Sequence, residues 1–462
     1  MKENSVRKPH DFHSLNDLSS DRQDDDWYYH QQMVREGLSF EIVTFDLCCE
    51  NFLIDSFKEA YWSIFQRHDS LRTIFPVVQG TVMQAILKFE PTLFPIPIYD
   101  AQSLVATTLE KLIHDHRKKI ELEFTDLGKD PLAKGILLQT GRETFLFLFV
   151  CHHILCDEHG LMIFRSELFH KYNLIIGRTT EPLPEKKLQL MDYHKLRNEK
   201  TQGEYGTRSN RYWTDKLEKH LTKADYSVLY RNISEDFPSL AEIQFAKKNM
   251  SQAGWYSFYS STRNKEGLTR LSQSLNISVP IILMGCFFFC IYICFRLTKV
   301  LINTTVNGRD VSNVPDPIIG NLACNVFIKG IVNEFVPFRQ VATQIYLDFL
   351  QSARFPISNF GPFHKFKIRE NADFYINFQT FGVREYLRTD RENTHFPDKA
   401  FYALSLIIGE YSDGFSLKWC YQTGIYNASI IEHISAVYQE VVIAVLRDQE
   451  VSPSILKATN GK

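Results

Sequence analysis

A chain of 462 residues is too long for one ordinary hydrophobic core and divides into two or three domains. Its 44% hydrophobic and 13% aromatic content supports a well-buried globular protein, and 52 basic against 54 acidic side chains leave no electrostatic case for a nucleic-acid partner. Nine cysteines without Cys-x-x-Cys spacing, and a polar stretch from Met1 to Asp26 with no apolar secretion core, point to reduced thiols and a cytoplasmic protein.

Along the chain, Ser39 to Cys49 reads as a strand and Phe52 to Arg67 as a helix. Val82 to Leu87 is a strand, Ser103 to Glu121 a helix, and Leu132 to Gln139 a strand. Phe145 to Val150 is an unbroken apolar run rich in aromatics, which predicts a buried strand. It breaks into Cys151-His152-His153-Ile154-Leu155-Cys156-Asp157-Glu158-His159-Gly160. Beyond Gly160, Leu161, Phe164, Leu168, Phe169 and Tyr172 fall at helical spacing on one face. Two imidazoles and a carboxylate therefore lie on a strand-to-helix loop, where a rigid scaffold presents reactive groups.

Residues 177 to 209 are rich in Pro, Lys, Gln, Gly and Asn and read as a connection, giving domains over 1–176 and 210–462. The second half gives Trp255 to Ser260 as a strand, Lys265 to Phe295 as helix, Val300 to Val306 as a strand and Phe335 to Arg354 as a helix. Strands follow near Phe401 to Ile408 and Ser416 to Gln422, then a helix from Ala428 to Arg447. Strands and helices mix without strict alternation, so the fold class is α+β. Val279 to Phe295 is seventeen residues without a charge; Ser278 as cap, Pro280 in the first turn and its single mid-chain place favour a buried core helix over a membrane span. Cys286, Cys290 and Cys294 recur on one face of it and read as packing residues.

On the residues alone, three readings of the loop stay open. One is acyl transfer, with His153 handling a proton while Asp157 fixes the loop. Another is a metal site using His153, Asp157 and His159 with a further ligand. The third is a pair of structural histidines. Cys151 and Cys156 lack an adjacent activating group and read as packing residues.

The chain resembles the condensation domains of nonribosomal peptide synthetases, within the superfamily of chloramphenicol-acetyltransferase-like acyltransferases. The family's His-His-x-x-x-Asp-Gly core matches His152, His153 and Asp157, and its Arg-His-x-x-Leu-Arg-Thr-x-Phe block matches Arg67 to Phe75. An opening Ser-x-x-Gln-x-x-x-Trp block is present as Ser20, Gln23 and Trp27. Asp192-Tyr193, Gly308-Arg309, Ile319-Gly320 and Tyr421 to Tyr426 follow in the family's order. The blocks cover the chain from about residue 13 to 448.

Departures from the pattern touch substrate type more than proton handling. Glu158 replaces the motif glycine, Gly160 stands where the family has serine, and Asp25 stands for an arginine of the opening block. An Asn-Thr pair appears as Cys324-Asn325, and a His-Gln-Asp-x-Pro block is reduced to Pro356. Glu158, Gly160 and Asn325 are thus the substrate-channel candidates.

The resemblance implies two similar subdomains in a V-shaped pseudo-dimer, with a tunnel floored by His153. It implies a monomeric, membrane-free enzyme that joins a carrier-protein-bound acyl or aminoacyl thioester to an amine, forming an amide or less often an ester. His153 is the expected catalytic residue, with His152 supporting the loop and Asp157 ion-paired to Arg309, or less favourably to Arg72. Substrates would arrive on phosphopantetheine arms of carrier proteins, so no resident cofactor or metal is expected. Met1 with only about a dozen leading residues suggests a stand-alone or first domain. The competing functions are a coenzyme-A-dependent acyltransferase and a non-catalytic carrier-docking module, the latter suggested by Glu158, Cys324 and Arg354.

Overall fold

The computed structural model describes residues 12–17, 21–35, 42–50, 52–220, 252–309, 317–357, 373–380, 399–411 and 413–460. These form two compact units. The first holds the described residues up to 205 together with 307–309 and 317–323; the second holds 206–220, 252–306 and those from 324 onward. Each unit has its own apolar core, and each combines helices with a mixed sheet.

The main sheet of the first unit runs in the order Ile42–Glu50, Thr144–His152, Ala133–Gln139 and Ile98–Asp100. Pairing is antiparallel except at the last joint. Phe145 to Val150 are all buried in the central strand, which is why both alternating sets of its side chains are apolar. Phe147 meets Phe57 of the helix Ile54–Arg67 at a ring-centroid distance of 4.9 Å, and Phe149 stacks on Phe164 of the helix Glu158–Ile175 at 4.2 Å. The helix Ala106–Glu123 also packs against this strand. A strand gripped by three helices gives the loop after it a rigid starting point.

Residues 177–209 carry more structure than their composition suggested. The helix Leu190–Gln202 lies within them, opened by a reciprocal cap between Gln189 and Asp192, and Glu204–His220 begins before they end. Tyr193 and Arg197 are buried because they have a task in the candidate site.

In the second unit the sheet order is Cys324–Ile331, Lys299–Val306, Phe374–Thr380, Leu404–Tyr411, Gly414–Gln422 and Ala253–Ser260. Phe374–Thr380 is parallel to both neighbours and the other joints are antiparallel. The uncharged helix Val279–Phe295 lies in this core, with thirteen residues buried, between Phe338–Ser352 and Ala428–Arg447. A helix apolar all round is satisfied there by protein on every side. Ala428–Arg447 is itself long and apolar enough to cross a membrane, but it turns Ile430, Ile434, Val441 and Val445 into the same core. The expected single helix from Lys265 to Phe295 is instead two, Thr262–Leu275 and Val279–Phe295, bent by 100°. Asn276 breaks it by adopting φ of 53°, a left-handed conformation that asparagine tolerates better than most side chains.

Candidate active site

The loop after the central strand is built from backbone hydrogen bonds. His152 N–H donates to the Leu132 carbonyl at 2.9 Å, ending the strand. Leu155 N–H then donates to His152 O at 3.0 Å and Cys156 N–H to His153 O at 3.2 Å, turning the chain. Asp157 caps the next helix, its Oδ1 accepting from Gly160 N–H at 2.7 Å. Glu158, where the resembled family has glycine, is the first helical residue, and a carboxylate is favoured at that end of the helix dipole.

Asp157 is 3% exposed, and both carboxylate oxygens are engaged by Arg309. Nη2 donates to Oδ1 at 2.8 Å and Nη1 to Oδ2 at 2.9 Å, a bidentate pair between groups 152 residues apart. Leu322 N–H adds a bond to Oδ2 at 3.0 Å, and Asp157 N–H donates to Gly320 O at 3.2 Å. Burial opposes the ionised form, but Arg309 and the Gly160 and Leu322 amides outweigh it and hold the carboxyl below its usual range.

Arg309 is in turn held from below. Its Nε donates to Ile318 O at 3.1 Å and Nη2 to Gly320 O at 3.0 Å. Tyr193 Oη and Arg197 Nη2 both donate to Gly308 O, and Lys186 Nζ donates to Pro317 O at 3.1 Å. Leu190, Tyr193, Ile318 and Leu322 form a small apolar core of their own beneath this segment. Gly160 and Gly320 make the close approach feasible. A Cβ on Gly160 would stand 2.9 Å from Cys156 Sγ and 3.1 Å from Gly320 N, and one on Gly320 would stand 2.4 Å from Leu190 Cδ1. Tyr193 and Gly308 thus support the segment from which Arg309 reaches the Asp157 carboxylate, and Gly320 O accepts from both partners of that pair.

His152 points into the same unit and is 3% exposed. Its Nδ1 accepts from Ile154 N–H at 3.1 Å and its Nε2 lies 3.1 Å from His30 Nδ1. Burial first, then the neighbouring His30 and His153, push its imidazole well below the usual range and keep it neutral. His153, between the buried histidine and the anchored aspartate, is partly exposed, and His159 is exposed on the first helical turn. Cys156 is buried, and burial together with Cys151 pushes its thiol up, so it is unsuited to nucleophilic attack.

The other candidates lie elsewhere. Arg72 donates to Asp69 Oδ1 at 2.5 Å and to the carbonyls of Phe65 and Leu87, not to Asp157. Arg67 and His68 share Glu167 Oε2 at 2.9 and 2.7 Å. Asn325 belongs to the second unit, where its Oδ1 accepts from Asn303 Nδ2 at 3.1 Å. Ser20 and the Asp25 side chain lie outside the described residues; Gln23 is buried, and Asp26 accepts from Asn321 Nδ2 at 2.7 Å. Among the described residues no group of three or more His, Cys, Asp or Glu is arranged to hold a metal ion. His30 is the residue that sequence reading missed: it lies 122 positions before His152, outside every motif block, and no local pattern marks it.

A family model described as Condensation domain matches residues 20–353. Gramicidin S synthase 2 of Aneurinibacillus migulanus is 21% identical over 439 residues, which is 92% of this chain and 9% of that protein. The chain spans 2% to 9% of the length of the curated relatives it matches first. Among solved structures, the epimerization domain from the third module of tyrocidine synthetase B is similar with a TM-score of 0.74 at 15% identity, covering 95% of this chain and 98% of that one. The starter condensation domain of rhizomide synthetase, solved as a variant in complex with C8-CoA, also has a TM-score of 0.74, at 11% identity over 95% of this chain and 96% of its own. The α+β fold is therefore the chloramphenicol-acetyltransferase-like fold of these domains.

Proposed function

The chain belongs to the condensation-domain family, and from that premise we propose that it transfers an acyl or aminoacyl group from a carrier-protein thioester to an amine. The amine attacks the thioester carbon, the tetrahedral adduct loses a proton from nitrogen, and the thiolate leaves. His153 takes that proton or hydrogen-bonds the adduct. A hydroxyl acceptor would give an ester by the same route. Donor and acceptor arrive on phosphopantetheine arms of carrier partners, and the domain contributes no cofactor of its own.

One observation carries this reading. Of the three motif side chains, His152 and Asp157 are each 3% exposed and committed to bonds that shape the loop, whereas His153 is partly exposed on the turn between them. Supporting roles thus fall to His152, Asp157 and Arg309, and the proton-handling role to His153. Glu158 at the mouth of the following helix, and Asn325 on its strand, are the positions proposed to contact substrate.

The test is mass spectrometry of products after incubation with loaded carrier proteins and a panel of amines. His153→Ala, folded by circular dichroism, is expected to lose roughly 10²–10⁴-fold in turnover. Undiminished turnover would refute the assignment. A parallel arm with acyl-coenzyme A as donor separates a carrier-dependent condensing enzyme from a coenzyme-A-dependent acyltransferase. Carrier binding without product across the whole panel would indicate a docking module instead.

A further inference from the structure

We propose that His30 is a positioning residue for this site: it fixes the tautomer of His152 and, through it, the turn that presents His153. The inference rests on the role proposed above for His153.

The polarity of the chain of bonds is set from both ends. A backbone N–H only donates, so His152 Nδ1, 3.1 Å from Ile154 N, is an acceptor, and the proton of the neutral ring sits on Nε2. That Nε2–H donates to His30 Nδ1 at 3.1 Å, which leaves the His30 proton on its own Nε2. A carbonyl only accepts, and His30 Nε2 lies 3.1 Å from Thr125 O. Starting from Thr125 gives the same assignment as starting from Ile154. The rings meet edge to face at 4.9 Å, and His30 is fully buried.

Neither ring accepts a second proton without breaking a bond. A proton added to His30 Nδ1 would face the His152 Nε2–H, and one added to His152 Nδ1 would face the Ile154 N–H. Burial dominates for both rings and pushes them down; Asp126 and the Thr125 carbonyl oppose it at His30, and His153 reinforces it at His152. The last link is the functional one. Ile154 N–H belongs to the peptide that follows His153, so holding it sets the backbone on which the His153 imidazole is carried. An apolar pair would fill this volume without buried polar groups, but would leave that N–H without its acceptor.

Three variants and one spectroscopic readout test this. His30→Asn places an amide oxygen near the Nδ1 position and still accepts from His152. His30→Leu removes the acceptor, and His30→Gln moves the amide toward the Thr125 end. His30→Leu is expected to lower kcat roughly tenfold or more with KM within about twofold, and His30→Asn to restore most of it. If His30→Leu does not fold, the ranking of His30→Asn above His30→Gln carries the same test. Nitrogen-15 histidine spectra of the full chain, with His152 assigned by substitution, are expected to show it as the Nε2–H tautomer at neutral pH. That signature should persist in His30→Asn and be lost in His30→Leu or His30→Gln. An Nδ1–H tautomer or imidazolium at His152 in the unmodified protein, or equal kcat in all three variants, overturns the proposal. Because the spectra do not depend on turnover, an inactive His153 leaves the relay standing, whereas a wrong tautomer removes the relay and leaves the His153 assignment intact.

Discussion

Replacing Arg309 with methionine keeps the apolar stem and deletes the guanidinium, leaving Asp157 buried without its partner. The side chains of the pair are 10% and 5% exposed, and the geometry is bidentate at 2.8 and 2.9 Å. Breaking such a pair from one side costs about 3–5 kcal/mol, because the remaining charge stays desolvated. The bonds to Ile318 and Gly320 disappear with it. In the unmodified chain the carboxyl is held below its usual range, so its contribution is present above the unfolded value of about 3.9 and is lost as pH falls through the lower folded value. In Arg309→Met, burial acts unopposed by the guanidinium and raises the carboxyl, so the folded state takes up a proton more readily than the unfolded one. The deficit relative to the parent should therefore be largest near neutral pH and shrink as the carboxyl protonates. Urea unfolding followed by tryptophan fluorescence at several pH values reads this directly. A loss under about 1 kcal/mol at pH 7, or one unchanged on acidification, refutes the reasoning. Asp157→Asn in the Arg309→Met background is expected to recover part of the loss, since the stranded charge is gone.

Two further outcomes follow from packing. Gly160→Ala is expected to cost about 1–3 kcal/mol, read as a lowered thermal midpoint, because the new methyl meets Cys156 Sγ at 2.9 Å and Gly320 N at 3.1 Å. An unchanged midpoint would mean that the Arg309 segment shifts freely. Phe287→Ala in the core helix of the second unit removes a ring lying 5.9 Å from Trp419 and 6.4 Å from Phe374, and about 3–5 kcal/mol in denaturant titration is expected. A loss below about 1 kcal/mol would show that the helix is not the packing centre of the second unit.

Local signals were legible and long-range ones were not. Phe145 to Val150 announced their strand because burial on both faces needs an unbroken apolar run, and Val279 to Phe295 announced a core helix for the same reason. Asn276 is not legible as a breaker because a single left-handed residue leaves the apolar periodicity on either side intact. Leu190–Gln202 was hidden by its polar composition, since its buried face serves Gly308 O and a four-residue core, too narrow a stripe to register as amphipathic. Asp157 with Arg309 was reachable through family resemblance alone, as no spacing rule connects positions 152 residues apart. His30 lay beyond both routes.

The counter-ion of Asp157 has a consequence for how this chain can be made and divided. Arg309 returns to the first unit only after the polypeptide has run through 206–306 of the second. During synthesis the histidine-bearing loop must therefore wait, its carboxylate uncompensated, until much of its neighbour has left the ribosome. A fragment ending at residue 205 would contain every residue of the His-His-x-x-x-Asp motif and still lack the means to shape it. The natural point of separation in sequence is thus not a point of separation in folding, and any excision or recombination of this unit has to carry the distant segment along.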